Sequence, residues 1–203
     1  MEIDFATLPP REAYSFLVTS IMPRPIAWVS TISSAGRTNL APFSFFQGVT
    51  ANPPTLLIIP VNHRDGRKKD TVRNIEETGE FVVNVVPYGL AEQMNATAAL
   101  LPSDESEFEK YSVGSAPSTR VKPPRVAASP IAFECGVHQI VPVGEGPLAA
   151  HVVLGRIRYA HVADAVLGPD GLPDPGKLDL VGRLGGELYT RTTDRFPLKR
   201  PDR

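Results

Sequence analysis

Cysteine is almost absent from this sequence. Cys135 is the only one among 203 residues, so the chain can form no internal disulfide and no cysteine-cluster metal site. An excess of charge of one sign is missing too. There are 21 Lys and Arg against 22 Asp and Glu, a formal net charge of −1, and no basic block exceeds Arg67-Lys68-Lys69. That balance leaves no electrostatic footprint for nucleic acid. No apolar run approaches the roughly 20 residues that span a bilayer. The opening Met1-Glu2-Ile3-Asp4 is acidic where a signal peptide is basic and then apolar. The expectation is a cytoplasmic protein with no nucleic-acid or membrane partner.

Familiar chemical motifs are missing as well. Gly144, Gly146, Gly185 and Gly186 lack the spacing of a Rossmann pyrophosphate turn, and no P-loop lysine motif occurs. No Gly-x-Ser-x-Gly elbow anchors a serine hydrolase. His151 and His161 fall on one strand candidate, where ten residues span roughly 33 Å, too far to share a metal, so no metal is expected. Neither they nor His63 have a carboxylate at motif spacing, and no acid–base residue is assigned. Cys135, in an apolar strand, reads as a buried small hydrophobe. Neighbouring carboxylates such as Glu76-Glu77 and Asp104-Glu105 diverge from one another and read as solvated surface.

What the chain has in plenty is proline, 21 residues beside 16 glycines, about twice the usual proline share of roughly 5%. This composition argues against a helical bundle or coiled coil. Residues 1–25 read as a lead-in with a short helix near 10–18, closed by Pro23-Arg24-Pro25. The β-branched and aromatic run 26–32 is a strand, Ser33-Ser34-Ala35-Gly36-Arg37 a turn, and 38–46 its antiparallel return. Asn52-Pro53-Pro54 punctuates before an apolar strand at 55–61. A helix over 70–78 has Asp70 or Thr71 available as cap and Gly79 as stop.

A strand at 81–86 and a short helix within 89–101 follow. The stretch 102–124 is a polar loop with one helical turn, 131–141 and 151–162 are long strands, and the tail begins at 178. Six or seven strands joined by short turns, against three short helices, predict a mainly β chain. Its expected form is an antiparallel barrel with short peripheral helices. No repeat, low-complexity tract or linker divides it. One domain over 1–203 is expected, with an N-terminal lead-in to about 22 and a C-terminal arm from about 178.

Two stretches can carry chemistry. Ser30-Thr31 and Asn39-Leu40-Ala41-Pro42-Phe43-Ser44 fall on neighbouring strands, where hydroxyls, an amide and exposed backbone groups suit the polar edge of a flat ring system. The plain alternative is a hairpin whose polar residues face water. Arg67-Lys68-Lys69-Asp70-Thr71 enters a helix, and free N–H groups, a hydroxyl and cations there suit a phosphate. The alternative for this second stretch is a basic solvated loop.

These stretches also carry a family likeness. Pro23-Arg24-Pro25-Ile26-Ala27-Trp28-Val29-Ser30-Thr31, then Asn39-Leu40-Ala41-Pro42-Phe43-Ser44-Phe45-Phe46, resemble the opening of the flavin reductase-like FMN-binding split-barrel family. The likeness is nearest to the branch of flavoredoxin and nitrilotriacetate monooxygenase component B. Lys69-Asp70-Thr71 with Asn74-Ile75 and Glu80-Phe81-Val82-Val83-Asn84 resemble its middle. Pro123-Pro124-Arg125-Val126, Ser129-Pro130, Glu134-Cys135 and Arg183-Leu184-Gly185-Gly186 with Tyr189 resemble its later parts.

The resemblance implies a split, Greek-key-like β-barrel that forms a homodimer, binds FMN and takes electrons from NADH or NADPH. It implies either a flavin reductase serving a partner monooxygenase, or an FMN-carrying electron-transfer protein without free-flavin turnover. By position, Ser30 and Thr31 would meet the isoalloxazine edge, and Asn39, Ala41, Pro42, Phe43 and Ser44 would line it. Lys69, Asp70, Thr71 and Asn74 would serve the phosphate and ribityl end, with Arg183 near the open flavin face. Two positions depart from the family pattern. Gln47 stands where Asn is expected, which bears on a flavin-edge hydrogen bond, and Ala128 where an acid is common, which bears on dimer or surface contacts.

Overall fold

The computed structural model describes residues 1–201. Pro10–Ser20 forms helix α1, with proline in its first turn, where a missing N–H leaves no gap. Arg24–Pro25 (β1) and Ala27–Ile32 (β2) follow, then Thr38–Phe43 (β3), Phe46–Ala51 (β4) and Pro54–Ile58 (β5). Helix α2, Asp70–Thr78, ends at Gly79, whose φ of 69° is the left-handed stop that glycine adopts freely. Next come Glu80–Asn84 (β6), the short helices Ala91–Ala96 (α3) and Glu107–Lys110 (α4), and the two-residue strands Ser115–Ala116 (β7) and Arg125–Val126 (β8). The long hairpin Ile131–Val143 (β9) and Ala150–Val162 (β10) precedes Pro175–Leu178 (α5), Val181–Arg183 (β11) and Tyr189–Arg191 (β12).

Seven strands make one antiparallel sheet in the order β3-β2-β6-β9-β10-β5-β4. Its two edge strands, β3 and β4, are consecutive in the chain and joined through Ser44 and Phe45, yet they exchange no ladder bonds. The sheet therefore rolls up and stays open along one seam. This is the split β-barrel expected from the sequence. Inside it Ala27, Val29, Phe43, Ile58, Phe81, Val83 and Val153 pack against Ile75 of α2. Outside it Trp28, Leu40, Met94, Phe108, Val126 and Val181 form a second core under α3, α4 and β8. β2 is covered on both faces, which explains its unbroken apolar run. Gly155 lets β10 cross this core closely, since a Cβ there would stand 2.3 Å from the Phe81 ring.

Three expectations are corrected. The return strand predicted over 38–46 stops at Phe43, and a separate strand β4 continues from Phe46 to Ala51. The tail from 178 is more than an arm: β11 and β12 build a three-stranded sheet with β1. At the start of α2, Lys69 occupies the cap position and no side chain caps the helix. Among the described residues no helix is long and apolar enough to cross a membrane.

Candidate functional site

The seam side of the barrel brings β3 against the first turn of α2. Val72 and Arg73 donate their N–H groups to the Lys69 carbonyl at 3.0 and 3.2 Å. The amides of Asp70 and Thr71 have no acceptor within the helix, as at any helix start. Beneath that turn, four of the sequence-selected residues interlock. Asn39 Nδ2 donates to Thr71 Oγ1 at 3.0 Å and to Thr31 Oγ1 at 3.3 Å, and Asn74 Nδ2 donates to Thr31 Oγ1 at 3.0 Å. All four are buried. Thr71 and Asn74 face inward because they share the apolar side of α2 with Val72 and Ile75.

Asn39, Ala41, Pro42, Lys69, Asp70 and Thr71 line one narrow cleft of about 80 Å³, closed on the far side by the loop after α3 and by Glu107. It adjoins a wider cleft of about 850 Å³ under Arg64, Arg67 and Arg73, and His63, Lys69 and Asp70 stand on the wall of both. Burial lowers the pKa of Lys69. Its ammonium lies 5.8 Å from the centre of the Phe43 ring and has no ion pair among the described residues. Three of the cations around it are committed elsewhere: Arg67 to Asp65, Lys68 to Glu76, Arg73 to Asp70. Burial, and then the Lys69 charge, lower the pKa of His63. Glu107 accepts the Leu40 N–H at 2.8 Å, and burial raises its pKa.

The remaining selected residues lie apart from this cleft. Ser30 points to the opposite face of β2 from Thr31, and its hydroxyl donates to the Pro124 carbonyl. Ser44 accepts from Arg24 Nε at 3.2 Å. Arg24 is itself buried, donating to the carbonyls of Val18 and Ile21 and lying 5.9 Å from the Phe45 ring centre. Arg183 sits beside Arg24 in the small sheet, 4.4 Å over the Tyr189 ring, and donates to the Gly186 carbonyl.

Two residues escaped the sequence reading. Glu107 had no signal beyond lying in a helical turn, whereas Arg24 sits in the quoted Pro-Arg-Pro piece. His161, expected to lack a carboxylate, meets Glu134 at 2.6 Å. Cys135 is fully buried, as expected, and burial pushes its thiol pKa up.

A family model described as flavin reductase like domain matches residues 19–175. An uncharacterized protein of Halalkalibacterium halodurans is 40% identical over 203 residues, covering 99% of this chain and 97% of its own. The crystal structure of nitrilotriacetate monooxygenase component B from Bacillus cereus is similar with a TM-score of 0.91 at 33% identity, over 98% of each chain. The 2-nitrobenzoate 2-nitroreductase NbaA of Pseudomonas fluorescens is similar with a TM-score of 0.88 at 32% identity, over 99% of this chain and 96% of its own.

Proposed function

The chain belongs to the flavin reductase-like domain family, and from that premise we propose that it is an NAD(P)H:FMN oxidoreductase handing reduced flavin to a separate monooxygenase. One observation carries the reading. Two separated stretches, one chosen for a ring edge and one for a phosphate, supply the walls of a single cleft: Asn39, Ala41 and Pro42 on one side, Lys69, Asp70 and Thr71 on the other. The donor set suits FMN. A desolvated ammonium without a counter-ion, two first-turn amides and the Thr71 hydroxyl are what a phosphate monoester asks for.

In this reading Lys69, Thr71 and the amide of Asp70 hold the phosphate, and Asn74 acts through Thr31 to keep the Asn39 amide aimed. Ala41 and Pro42 give the ring an apolar wall, with Phe43 in the core behind them. Ser44 and Arg183 belong to the site only if the ring reaches beyond the narrow cleft, and Ser30, buried on the other face of β2 with its hydroxyl on the Pro124 carbonyl, has no side-chain part in it. Bound flavin supplies the hydride-accepting chemistry itself. The chain's part is to bind, orient and limit water, and no side chain need move a proton. His63, whose pKa burial and then the Lys69 charge lower, would contact the nicotinamide donor from the wall of the wider cleft.

A neighbour named as a monooxygenase component favours the partner role. The exposed β4 edge and the apolar Leu17 and Ile21 of the lead-in favour a homodimer. The test is an absorption spectrum of the purified protein with FMN before and after anaerobic NADH or NADPH, followed by steady-state NAD(P)H consumption with free FMN. Bleaching with turnover of free FMN supports the reductase. Bleaching without turnover points to a tight FMN carrier, and no bleaching refutes both.

A further inference from the structure

The outer face of the large sheet holds a second polar site, on the far side of β2 from the Thr31 cluster. The strand register aligns Ser30, Val82, Glu134 and Tyr159 across β2, β6, β9 and β10. Glu134 is fully buried. Its Oε1 accepts the Thr119 N–H at 2.7 Å and meets His161 Nε2 at 2.6 Å, while Oε2 accepts the Arg120 N–H at 2.5 Å. Burial alone would raise this carboxyl's pKa, but the two amides and the imidazole outweigh it and hold the pKa below the usual range. An ionised acceptor fixes a hydrogen on Nε2. The other ring nitrogen, Nδ1, has no partner among the described residues, and the ring is steadied edge-on by Tyr159 at 5.1 Å.

Arg125 of β8, part of a piece the flavin reading leaves unused, comes to the same place. It is half-buried, its Nε is sealed from solvent without any acceptor, and it forms no ion pair among the described residues. Leaving a buried donor unpaired costs about 1–3 kcal/mol, and more where the group is charged. Arg125, Tyr159 and His161 line one cavity of about 390 Å³, whose other walls are mostly small residues. That volume falls in the range of small-molecule sites, about 300–1,000 Å³, and exceeds the need of a single carboxylate side chain.

We infer that this cavity binds a small oxyanion, with Arg125 as the fixed cationic clamp and the His161 ring, held in place by Glu134, as the wall beside it. A planar guanidinium matches the paired oxygens of a carboxylate or a tetrahedral oxyanion. The inference is independent of the flavin reading, because it rests on a different face of the sheet.

The experiment is calorimetric titration of the full chain with benzoate and with sulfate. The expected result is binding of at least one. Arg125→Gln weakens it by about tenfold or more, the loss of one charge-assisted bond. Should Arg125→Gln fold poorly, Ala127→Trp narrows the cavity from an exposed rim position and is expected to weaken binding likewise. Preference for benzoate marks an organic carboxylate as the natural ligand, and preference for sulfate a tetrahedral anion. The inference is overturned if neither anion binds the wild type, or if Arg125→Gln and Ala127→Trp both bind as it does. Weakened self-association of Arg125→Gln in sedimentation, without anion binding by the wild type, also overturns it and assigns the arginine to an interface between copies.

Discussion

Thr71→Val separates the phosphate role of the cleft from its structural role. Thr71 is 1% exposed, and its Oγ1 already accepts from Asn39 at 3.0 Å. Its own hydrogen is therefore left to donate, and in the proposed site it donates to the phosphate. Valine keeps the shape and removes both roles. The first loss leaves the Asn39 amide only its longer bond to Thr31, 3.3 Å, and costs the fold about 1–3 kcal/mol. For a chain of this size that lowers the melting temperature by several degrees, at roughly 2–4 °C per kcal/mol. The second loss is a charge-assisted bond of about 1.5–3 kcal/mol, which weakens FMN by roughly 10- to 150-fold.

Destabilisation alone would weaken any flavin, so the informative quantity is a ratio. Riboflavin has the ring and ribityl chain of FMN without the phosphate. Fluorescence titrations of both ligands, with wild type and variant well below their melting temperatures, give the FMN-specific loss once the riboflavin loss is divided out. The expected ratio is at least tenfold, and Thr71→Ser, which keeps a hydroxyl, restores most of it. Equal losses for the two ligands would place the phosphate elsewhere and remove the main support for the flavin assignment of this cleft.

Three further outcomes are expected. Burial raises the pKa of Glu107 despite its bond from the Leu40 amide, so the folded chain holds that proton more tightly than the unfolded one and stability is lost as pH rises through the folded pKa. Glu107→Gln, whose amide oxygen still accepts from Leu40, should therefore melt above wild type at pH 8, with the gap closing toward pH 4; a gap of the opposite sign refutes the buried-charge account. His63→Asn should change the KM for NADH or NADPH more than the limiting rate of stopped-flow flavin bleaching, and a drop beyond about a hundredfold in that rate, with FMN still bound, would reveal a missed acid–base residue. Sedimentation of micromolar protein should give a dimer, and a 22 kDa species that still binds FMN would exclude it.

Much of the fold was legible because local chemistry and tertiary packing agree. β2 reads as a strand since both of its faces are buried, and α2 ends where Gly79 takes a left-handed conformation. β4 was not legible. Gln47-Gly48-Val49-Thr50-Ala51 is exposed along its whole length, so no alternation marks it, and only pairing with β5 makes it a strand. The site divides the same way. Residue types pointed to Asn39, Lys69 and Thr71, but facing is a property of register. Ser30 and Thr31, adjacent in sequence, leave β2 on opposite sides, as period-two geometry requires. Glu134 and His161 are 27 positions apart and meet only because β9 and β10 pair Glu134 with Tyr159. No motif spacing announces such a contact.

The two clefts share one physical logic, seen most plainly at Lys69 and Arg125. Each cation is drawn out of water, and neither has a described carboxylate to answer it, while Arg67, Lys68, Arg73, Arg158 and Arg191 nearer the surface all do. A folded chain gains nothing from a buried unpaired charge, which destabilises it through lost hydration. Such a charge becomes favourable when an anion arrives, because the attraction then acts in the same low-dielectric setting that made the free cation costly. Stability surrendered without ligand thus returns as affinity with it, and ligand binding raises stability by mass action. In the proposed flavin reading, the first-turn amides and hydroxyl around Lys69 narrow the anion to a phosphate. At Arg125 the planar guanidinium favours paired oxygens, so the two sites should differ in the anions they prefer even though each is built around one cation without a described carboxylate partner.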